Sequence, residues 1–234
     1  LNGYYRKARN SIWSCIPKYD VFYSPKSYQL DLLRKCGAKR VEFLPYAFDP
    51  WCHYPVEPSQ YERESLSSSV VFIGSWRKER EEILEDLITP GLPWSLNIWG
   101  GQWEKMNKVS PLRKYTKFSP VYGETQAKIF SSSKIALAFL SPPDLHTARS
   151  FEIPAYGAFM LAERTNEHTT FFREGEEIAC FSSVSELSEK INYYLSHEDE
   201  REKIALAGYQ KVKNEGHSYV DRMKEVLRIF HEIS

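Results

Sequence analysis

From residue 70 onward, short apolar runs alternate with segments of helical spacing, and the first of these runs end at glycine. Val70–Ile73 stops before Gly74, and Leu96–Trp99 stops before Gly100. The short run 120–122 also precedes a glycine and is expected to be a strand. Parallel strands need a crossover connection, usually a helix, so this alternation is typical of a parallel sheet. The sequence therefore predicts an α/β protein with a Rossmann-like, doubly wound parallel sheet.

The same pattern continues along the chain. Apolar residues at helical spacing predict a helix over 125–132, and further strands are expected at 135–139, 159–161 and 178–181. A short helix is expected to start near Ser150 and to end by Gly157. It must be short because Pro154 is tolerated only near a first helical turn and glycine is a natural terminator.

The C-terminal third is predicted to be helical. Ser185 is a candidate N-cap for one helix, a second starts near Arg201, and Ser218 is a candidate N-cap for a third. The last helix carries an apolar stripe, which predicts packing against the rest of the protein. The stripe consists of Val220, Met223, Val226, Leu227, Phe230 and Ile233.

Composition excludes several classes of partner and location. The 234 residues contain 31 Lys and Arg and 31 Asp and Glu, so no overall charge attracts nucleic acid or an anionic membrane. Any partner must be recognised locally. No run approaches the roughly 20 apolar residues that span a bilayer. The four cysteines are too widely spaced for a metal knuckle, and a disulfide framework of four cysteines would be sparse at this length, which favours a reducing cytoplasmic location.

The first 50 residues are expected to form a separate unit, with a strand at 21–23, a helix that ends near Gly37 and a strand at 41–44. Several prolines and the polar run 65–69 follow, which predicts a linker over 51–69. Because the chain opens at Leu1 rather than Met, we interpret it as part of a longer protein.

Several stretches together resemble one family, the GT-B glycosyltransferases. Residues 19–49 resemble the end of the first Rossmann-like domain, and FIGSWRKER at 72–80 resembles the first strand and loop of the second domain. The most specific stretch is RSFEIPAYGAFMLAE at 149–163, which is similar to the spore maturation protein CgeB-like branch. The resemblance predicts the tail of an N-terminal, acceptor-side domain at 1–50 and a nucleotide-sugar-binding domain at 70–216. A C-terminal amphipathic helix follows at 217–234.

The resemblance implies transfer of a sugar from a nucleotide-diphospho-sugar donor to a glycan, lipid or protein acceptor. It implies no cofactor and, in most members, no metal; the sequence holds no DxD triad. Two alternatives remain open. The chain is a non-catalytic module that binds nucleotide or a partner, or it is a sugar-nucleotide epimerase of the same architecture.

Glu152 is the main candidate site residue. A carboxylate can accept hydrogen bonds from both ribose hydroxyls, and the resemblance implies this role for Glu152. The alternative is that Glu152 only complements the positive end of its own helix. The amide groups at that helix end, near Ser150, are expected to hold the diphosphate, with Arg149 beside them. The alternative for Arg149 is a surface salt bridge.

Two other strand ends supply candidate binding residues. Gly74, Ser75 and Arg77 follow the first strand of the second domain, where ligands of open α/β sheets bind, and either Arg77 or Arg80 is expected to supply charge. Tyr122 stacks on the base or belongs to the core. Trp99 and Trp103 are expected to pack rather than to bind sugar.

Asp144 and Glu152 are separated by seven residues, like the paired glutamates of many retaining GT-B enzymes. Asp144 and His146 are therefore the catalytic candidates, with a solvated loop histidine as the alternative for His146.

A cluster of basic residues follows the predicted strand at 96–99. It either binds a lipid-linked acceptor at a membrane surface or is simply solvated. The cluster consists of Lys105, Lys108, Arg113, Lys114 and Lys117.

Overall fold

The computed structural model describes residues 13–88 and 92–233. The chain divides into two compact units, Leu1–Tyr46 and Ala47–Ser234. In the first unit, strand β1 (Phe22–Ser24) pairs in parallel with β2 (Val41–Phe43), and helix α1 (Leu30–Lys35) connects them. Two 3-10 turns, Ile16–Lys18 and Ser27–Gln29, precede β1 and α1.

The second unit contains a five-stranded, fully parallel sheet. Its strands are β3 (Val70–Ile73), β4 (Leu96–Trp99), β5 (Ile135–Ala138), β6 (Met160–Glu163) and β7 (Ala179–Phe181). Their order across the sheet is β4-β3-β5-β6-β7. Val70 lies opposite both Leu96 and Ile135, which places β3 between β4 and β5. The predicted α/β fold with a parallel sheet is confirmed.

Helices cover both faces of this sheet. The described helices of this unit are α2 (Gln60–Leu66), α3 (Lys78–Leu87), α4 (Gly123–Ser132), α5 (Arg149–Ala155), α6 (Asn166–Phe171), α7 (Val184–Ser196), α8 (Glu198–Asn214) and α9 (Tyr219–Ile233). Two 3-10 turns, Trp103–Lys105 and Pro111–Lys114, lie between β4 and α4. Val70 and Phe72 join the core cluster that contains residues of α3 and α7. The alternate residues Val71 and Ile73 are buried as well, on the opposite face, as expected for a parallel sheet covered on both sides.

The structure corrects three predicted elements. Residues 120–122 are not a strand: Pro120 cannot donate a backbone hydrogen bond, and Tyr122 is the N-cap of α4. Helix α2 lies inside the range predicted as a linker, because Ser59 and Glu62 form a capping box that starts it. Ser183 rather than Ser185 caps α7, through the amide of Glu186.

Helix α9 shows a further difference. The stripe predicted to pack is largely exposed: Met223, Leu227, Phe230 and Ile233 are all exposed. Ile229 is the buried residue of the helix among those described. The helical period was predicted correctly, but packing was not, because hydrophobic spacing alone does not say which face meets the rest of the protein.

None of the described helices is both long enough and apolar enough to cross a membrane. All four cysteines are free thiols.

The start of α9 rests on an aromatic cluster centred on His217. The His217 ring stacks on Phe151, with ring centroids 5.2 Å apart, and on Phe172 at 6.1 Å. Its Nδ1 atom lies 3.4 Å from the Arg222 guanidinium. Burial, reinforced by the positive charges of Arg222 and Lys211, lowers the pKa of His217 to about 4.

This lowered pKa predicts a pH-dependent stability. The unfolded chain binds a proton on His217 near pH 6.5 and the folded protein only near 4, so the neutral ring stabilises the fold above that window. The free energy of unfolding should therefore fall as the pH drops from 6.5 to 4. In the wild-type protein, protonation of His217 should contribute about 2 kcal/mol to this fall in the free energy of unfolding. His217→Phe keeps an aromatic ring in the stack but cannot be protonated, so it should lack this contribution. Urea titrations near pH 7 and 4.5 would measure it, and an unchanged pH slope in His217→Phe would contradict it.

Candidate functional site

A cavity of about 540 Å³ opens where the carboxyl ends of β3 and β5 meet the amino ends of α4 and α5. The chain continues from β3 to β4 on one side of the sheet and later returns to β5 on the other side of β3. The connections that leave β3 and β5 therefore diverge, which leaves a crevice at this point of an open α/β sheet. We call it the switch-point cavity.

Glycines shape the apolar floor of the switch-point cavity. Gly74 lines it directly after β3. Gly100, which follows β4, lies so close that a Cβ atom on it would stand 2.0 Å from the Gly74 carbonyl oxygen. The same oxygen accepts a hydrogen bond of 2.9 Å from the buried Trp103 indole. Trp103 is therefore a packing residue, as predicted, and it helps to hold the Gly74 turn.

Glu152 stands on the polar wall, with 14% of its side chain exposed. It forms an ion pair with Arg149, one helical turn earlier on α5. Arg149 also donates to Gln126 Oε1 at 3.0 Å, and Gln126 Nε2 donates to the Tyr156 hydroxyl at 3.0 Å. These bonds define the orientation of the Gln126 amide and hold Arg149 in place. Burial raises the pKa of Tyr156 to about 12, so its hydroxyl stays neutral.

His53 reaches the same wall from a distant part of the sequence. Its Nδ1 accepts a hydrogen bond of 2.9 Å from the Asp49 amide, so the neutral ring carries its proton on Nε2. Nε2 lies 3.9 Å from Glu152 Oε1, and the ring meets Tyr156 edge-on. Burial lowers the pKa of His53, which favours the neutral ring.

The turn that carries His53 is anchored to the start of α9. The Phe48 amide donates to the His217 carbonyl at 3.2 Å, and the Phe48 carbonyl accepts from the Tyr219 amide at 2.9 Å. Residue 48 therefore pairs with the opposite end of the chain. No motif in the sequence indicates this pairing, and for that reason sequence analysis missed His53.

Arg80 lines the opposite side of the switch-point cavity. Its guanidinium donates to the Ser75 carbonyl at 2.8 Å and to the Phe139 carbonyl at 3.4 Å, and it lies 5.6 Å from the Phe72 ring centroid. It forms no ion pair with any carboxylate in the described ranges, and its buried Nε has no hydrogen-bond partner there. Burial lowers the pKa of Arg80. The cavity thus contains a cation whose hydrogen bonds go to carbonyl oxygens and whose nearest interacting carboxylates, those of Glu163, Glu79 and Asp144, form no direct ion pair with it, which leaves it suited to an anionic ligand.

Similarity to known proteins identifies the family of this chain. A sequence model of the glycosyl transferase-like family matches residues 77–228, well over half of the chain. The chain belongs to the glycosyl transferase-like family. This match contains α3, which carries Arg80, and α5, which carries Glu152. No curated protein sequence matched.

Several solved structures share the fold of this glycosyl transferase-like chain. Sucrose-phosphate synthase from Thermosynechococcus elongatus has a TM-score of 0.73 at 14% identity, over 94% of this chain and 60% of that one. HepE from Anabaena, in complex with UDP-glucose, has a TM-score of 0.71 at 11% identity, over 91% and 64%. A glycosyltransferase from Rickettsia africae gives 0.72 at 15% identity, over 100% and 68%. The sheet matches the C-terminal domain of GT-B glycosyltransferases, and the chain spans less than two thirds of the first two structures.

The structure brings four of the predicted binding residues to the switch-point cavity, namely Gly74, Tyr122, Arg149 and Glu152. Tyr122 is 76% exposed, so the alternative that it belongs to the core is wrong. Its place at the N-cap of α4 turns the side chain away from the packed interior. The salt bridge considered for Arg149 exists, and its partner is Glu152 itself.

Two other predicted binding residues follow β3 but do not line the cavity. Ser75 and Arg77 are exposed, and Arg77 is the N-cap of α3. Arg80 lies one turn further along α3 and is the arginine that lines the cavity. The sequence did not decide between Arg77 and Arg80 as the source of positive charge. The choice depends on the residue at which α3 begins, because this determines which arginine faces the edge of the sheet.

Ser150 does not present its side chain to the cavity. It is completely buried, and its hydroxyl contacts His168 Nε2 at 2.7 Å and accepts from the Thr147 amide at 3.1 Å. The amides of Ser150 and Phe151 bond to the carbonyls of Thr147 and Ala148. The amides of Ser150 and Phe151 are thus used within the chain, and the expectation that the amino end of α5 holds a diphosphate remains a prediction.

The catalytic candidates differ from expectation as well. His146 is completely buried and bonded through Nδ1 to Glu167, so it is neither solvated nor able to touch a ligand in the cavity. The aromatic rings of Phe151 and Phe171 enclose it. Asp144 is partly exposed in the preceding loop and is not part of the cavity wall. Within residues 13–88 and 92–233, no three His, Cys, Asp or Glu side chains form a potential metal site.

Proposed function

We propose that this chain binds a nucleotide-diphospho-sugar in the switch-point cavity and forms the donor-binding part of a glycosyltransferase. The observation that carries the proposal is that one cavity contains both the fixed carboxylate of Glu152 and the guanidinium of Arg80, which is hydrogen-bonded to carbonyl oxygens and forms no direct ion pair among the described residues. A nucleoside diphosphate offers the complementary groups, namely ribose hydroxyls and an anionic diphosphate. The acceptor is a glycan, lipid or protein.

Glu152 is proposed to accept hydrogen bonds from the ribose hydroxyls. Arg149 occupies one carboxylate oxygen, and His53 Nε2 approaches the other from 3.9 Å. A carboxylate has about four lone-pair sites, so capacity remains for two hydroxyl donors. Arg149 and His53 therefore act as positioning residues that hold the carboxylate in the orientation that the ribose needs.

Arg80 is proposed to bind the diphosphate, and Gly74 leaves room for it to approach the end of β3 closely. Electrostatic stabilisation of the leaving diphosphate would be the contribution of this side of the site to transfer. We also propose that transfer needs no metal, that the chain belongs to the CgeB-like branch, and that Tyr122 stacks on the base.

Arg80→Gln is expected to lower the affinity for UDP about tenfold and to leave the affinity for uridine unchanged. The reason is that a hydrogen bond to a charged group contributes about 1.5–3 kcal/mol, and uridine lacks the diphosphate. Isothermal titration calorimetry with both ligands measures this difference. Arg228→Gln, an exposed arginine on α9, is the control. A loss in Arg77→Gln instead of Arg80→Gln would show that the diphosphate is assigned to the wrong arginine.

Thermal-shift measurements with nucleoside diphosphates and their sugars test the proposed function directly. Because a ligand that binds only the folded state raises its stability by mass action, a donor should raise Tm in proportion to the logarithm of its concentration. UDP-glucose is the first candidate. If neither UDP, GDP, ADP nor any of their sugars raises Tm, the proposed donor site is wrong. If a donor alone is converted to its epimer, the activity is that of an epimerase.

A further inference from the structure

The connection between β4 and α4 is much longer than joining the two elements requires. It covers residues 100–122, whereas such connections usually have about 2–6 residues. Its inner side is anchored by the buried residues Trp103, Met106 and Leu112. Its return path runs along the sheet edge, where the Ile98 amide bonds to the Tyr115 carbonyl and the Lys117 amide to the Ile98 carbonyl. The segment is therefore an ordered surface.

The outer side of this segment carries five exposed cations, which we call the basic patch. The basic patch consists of Lys105, Lys108, Arg113, Lys114 and Lys117. None of the five forms an ion pair with a carboxylate in the part of the chain that the structure describes. Glu104 is the only acidic residue between 100 and 122, although the whole chain has equal numbers of acidic and basic residues. The charge is thus concentrated on this surface.

Two apolar side chains are exposed among these cations. Val109 is 85% exposed and Phe118 is 43% exposed. The Arg113 guanidinium lies 5.0 Å from the centre of the Phe118 ring, so cation and ring form one unit of the surface. A purely solvated charged face, one of the two interpretations left open by the sequence, gives no reason for apolar residues at these positions.

We propose that the basic patch, with Val109 and Phe118, docks this protein on an anionic lipid surface. Each Lys or Arg near such a surface raises affinity about fivefold, and exposed apolar side chains add to this by entering the headgroup region. Nucleic acid fits less well, because Val109 has no counterpart on a phosphate backbone and Arg113 already lies against the Phe118 ring. The proposal does not depend on the proposed function.

Co-sedimentation with vesicles tests the docking. Vesicles of phosphatidylcholine with 30% phosphatidylglycerol are compared with pure phosphatidylcholine vesicles, in low salt and in 0.5 M NaCl. The whole chain should bind the anionic vesicles in low salt and be released by high salt, because screening weakens the attraction between exposed charges. Pure phosphatidylcholine should leave it in the supernatant.

Variants assign the binding to the basic patch. Lys108→Gln with Lys114→Gln should lower the affinity for anionic vesicles about 25-fold, and Val109→Ser about fivefold. The matched control removes the same charge elsewhere, by Lys203→Gln with Lys213→Gln on α8, and should change the affinity less than threefold. Circular dichroism checks that every variant is folded.

Four outcomes would overturn the proposal. The first three are equal binding to neutral and anionic vesicles, equal losses in the patch variant and the α8 control, and no sedimentation with either vesicle. A fourth is binding of DNA or RNA fragments that is lost in the patch variant while vesicles do not bind, which would assign the patch to nucleic acid.

Discussion

Glu152→Ala is expected to lower the affinity for UDP and for uridine by tenfold to a hundredfold. The carboxylate would lose its hydrogen bonding to the ribose hydroxyls, and hydrogen bonding to a charged group contributes about 1.5–3 kcal/mol, which corresponds to this loss of affinity. Both ligands carry the ribose, so both should lose affinity, in contrast to the Arg80 variant. Calorimetric titration of UDP and uridine measures the two changes separately.

The control must separate lost ligand contacts from lost packing. Glu152→Ala also removes the ion partner of Arg149, so its free energy of unfolding has to be measured beside the binding. Glu124→Gln removes a carboxylate from the neighbouring helix α4, where Glu124 is exposed and paired with Lys128. It should leave UDP affinity within twofold. Wild-type affinity in a folded Glu152→Ala protein would remove the ribose assignment.

Gly100→Ala is expected to destabilise the protein by about 3–5 kcal/mol, which is at the upper end for a single substitution. The added Cβ would stand 2.0 Å from the Gly74 carbonyl oxygen, and the backbone at Gly100 has φ +143, which side chains rarely adopt. Relief requires the β3 and β4 ends to move apart. This movement would also strain the bond from Trp103 to Gly74, so UDP binding should weaken with stability.

The adjacent glycine supplies the matched control for this substitution. A Cβ on Gly101 would have no neighbour within 4 Å, so Gly101→Ala should change the free energy of unfolding by less than about 0.5 kcal/mol. Urea denaturation of both variants measures the difference. Equal stabilities of the two variants would mean that the close approach of β3 and β4 does not constrain the fold.

Local sequence predicted most of the second unit. Val70–Ile73 and Leu96–Trp99 are strands with the predicted bounds, because each is a short run of mostly apolar residues that stops at glycine. The run 120–122 had the same glycine but contains Pro120, and it is not a strand. A glycine after an apolar run therefore indicates the end of a strand only where every residue of the run can form the backbone hydrogen bonds of a sheet.

For the site, the sequence predicted the strand ends and helix starts that carry Gly74, Tyr122, Arg149 and Glu152, because in a parallel sheet these points all lie at one edge. Their proposed roles remain predictions. The choice of Arg80 over Arg77 depended on the register of α3 against the sheet, which a three-residue spacing in the sequence does not define.

Tertiary structure alone decided what the polar side chains contact. His146 and Ser150 looked like loop and helix-end residues that face a ligand, but α6 covers them and they bond to Glu167 and His168. His53 joins Glu152 because residue 48 pairs with the start of α9. The alternation of strands and helices is a short-range pattern and determined the fold class. Burial and side-chain contact depend on which segments meet across separations from about 20 to more than 100 residues, and only folding brings those segments together.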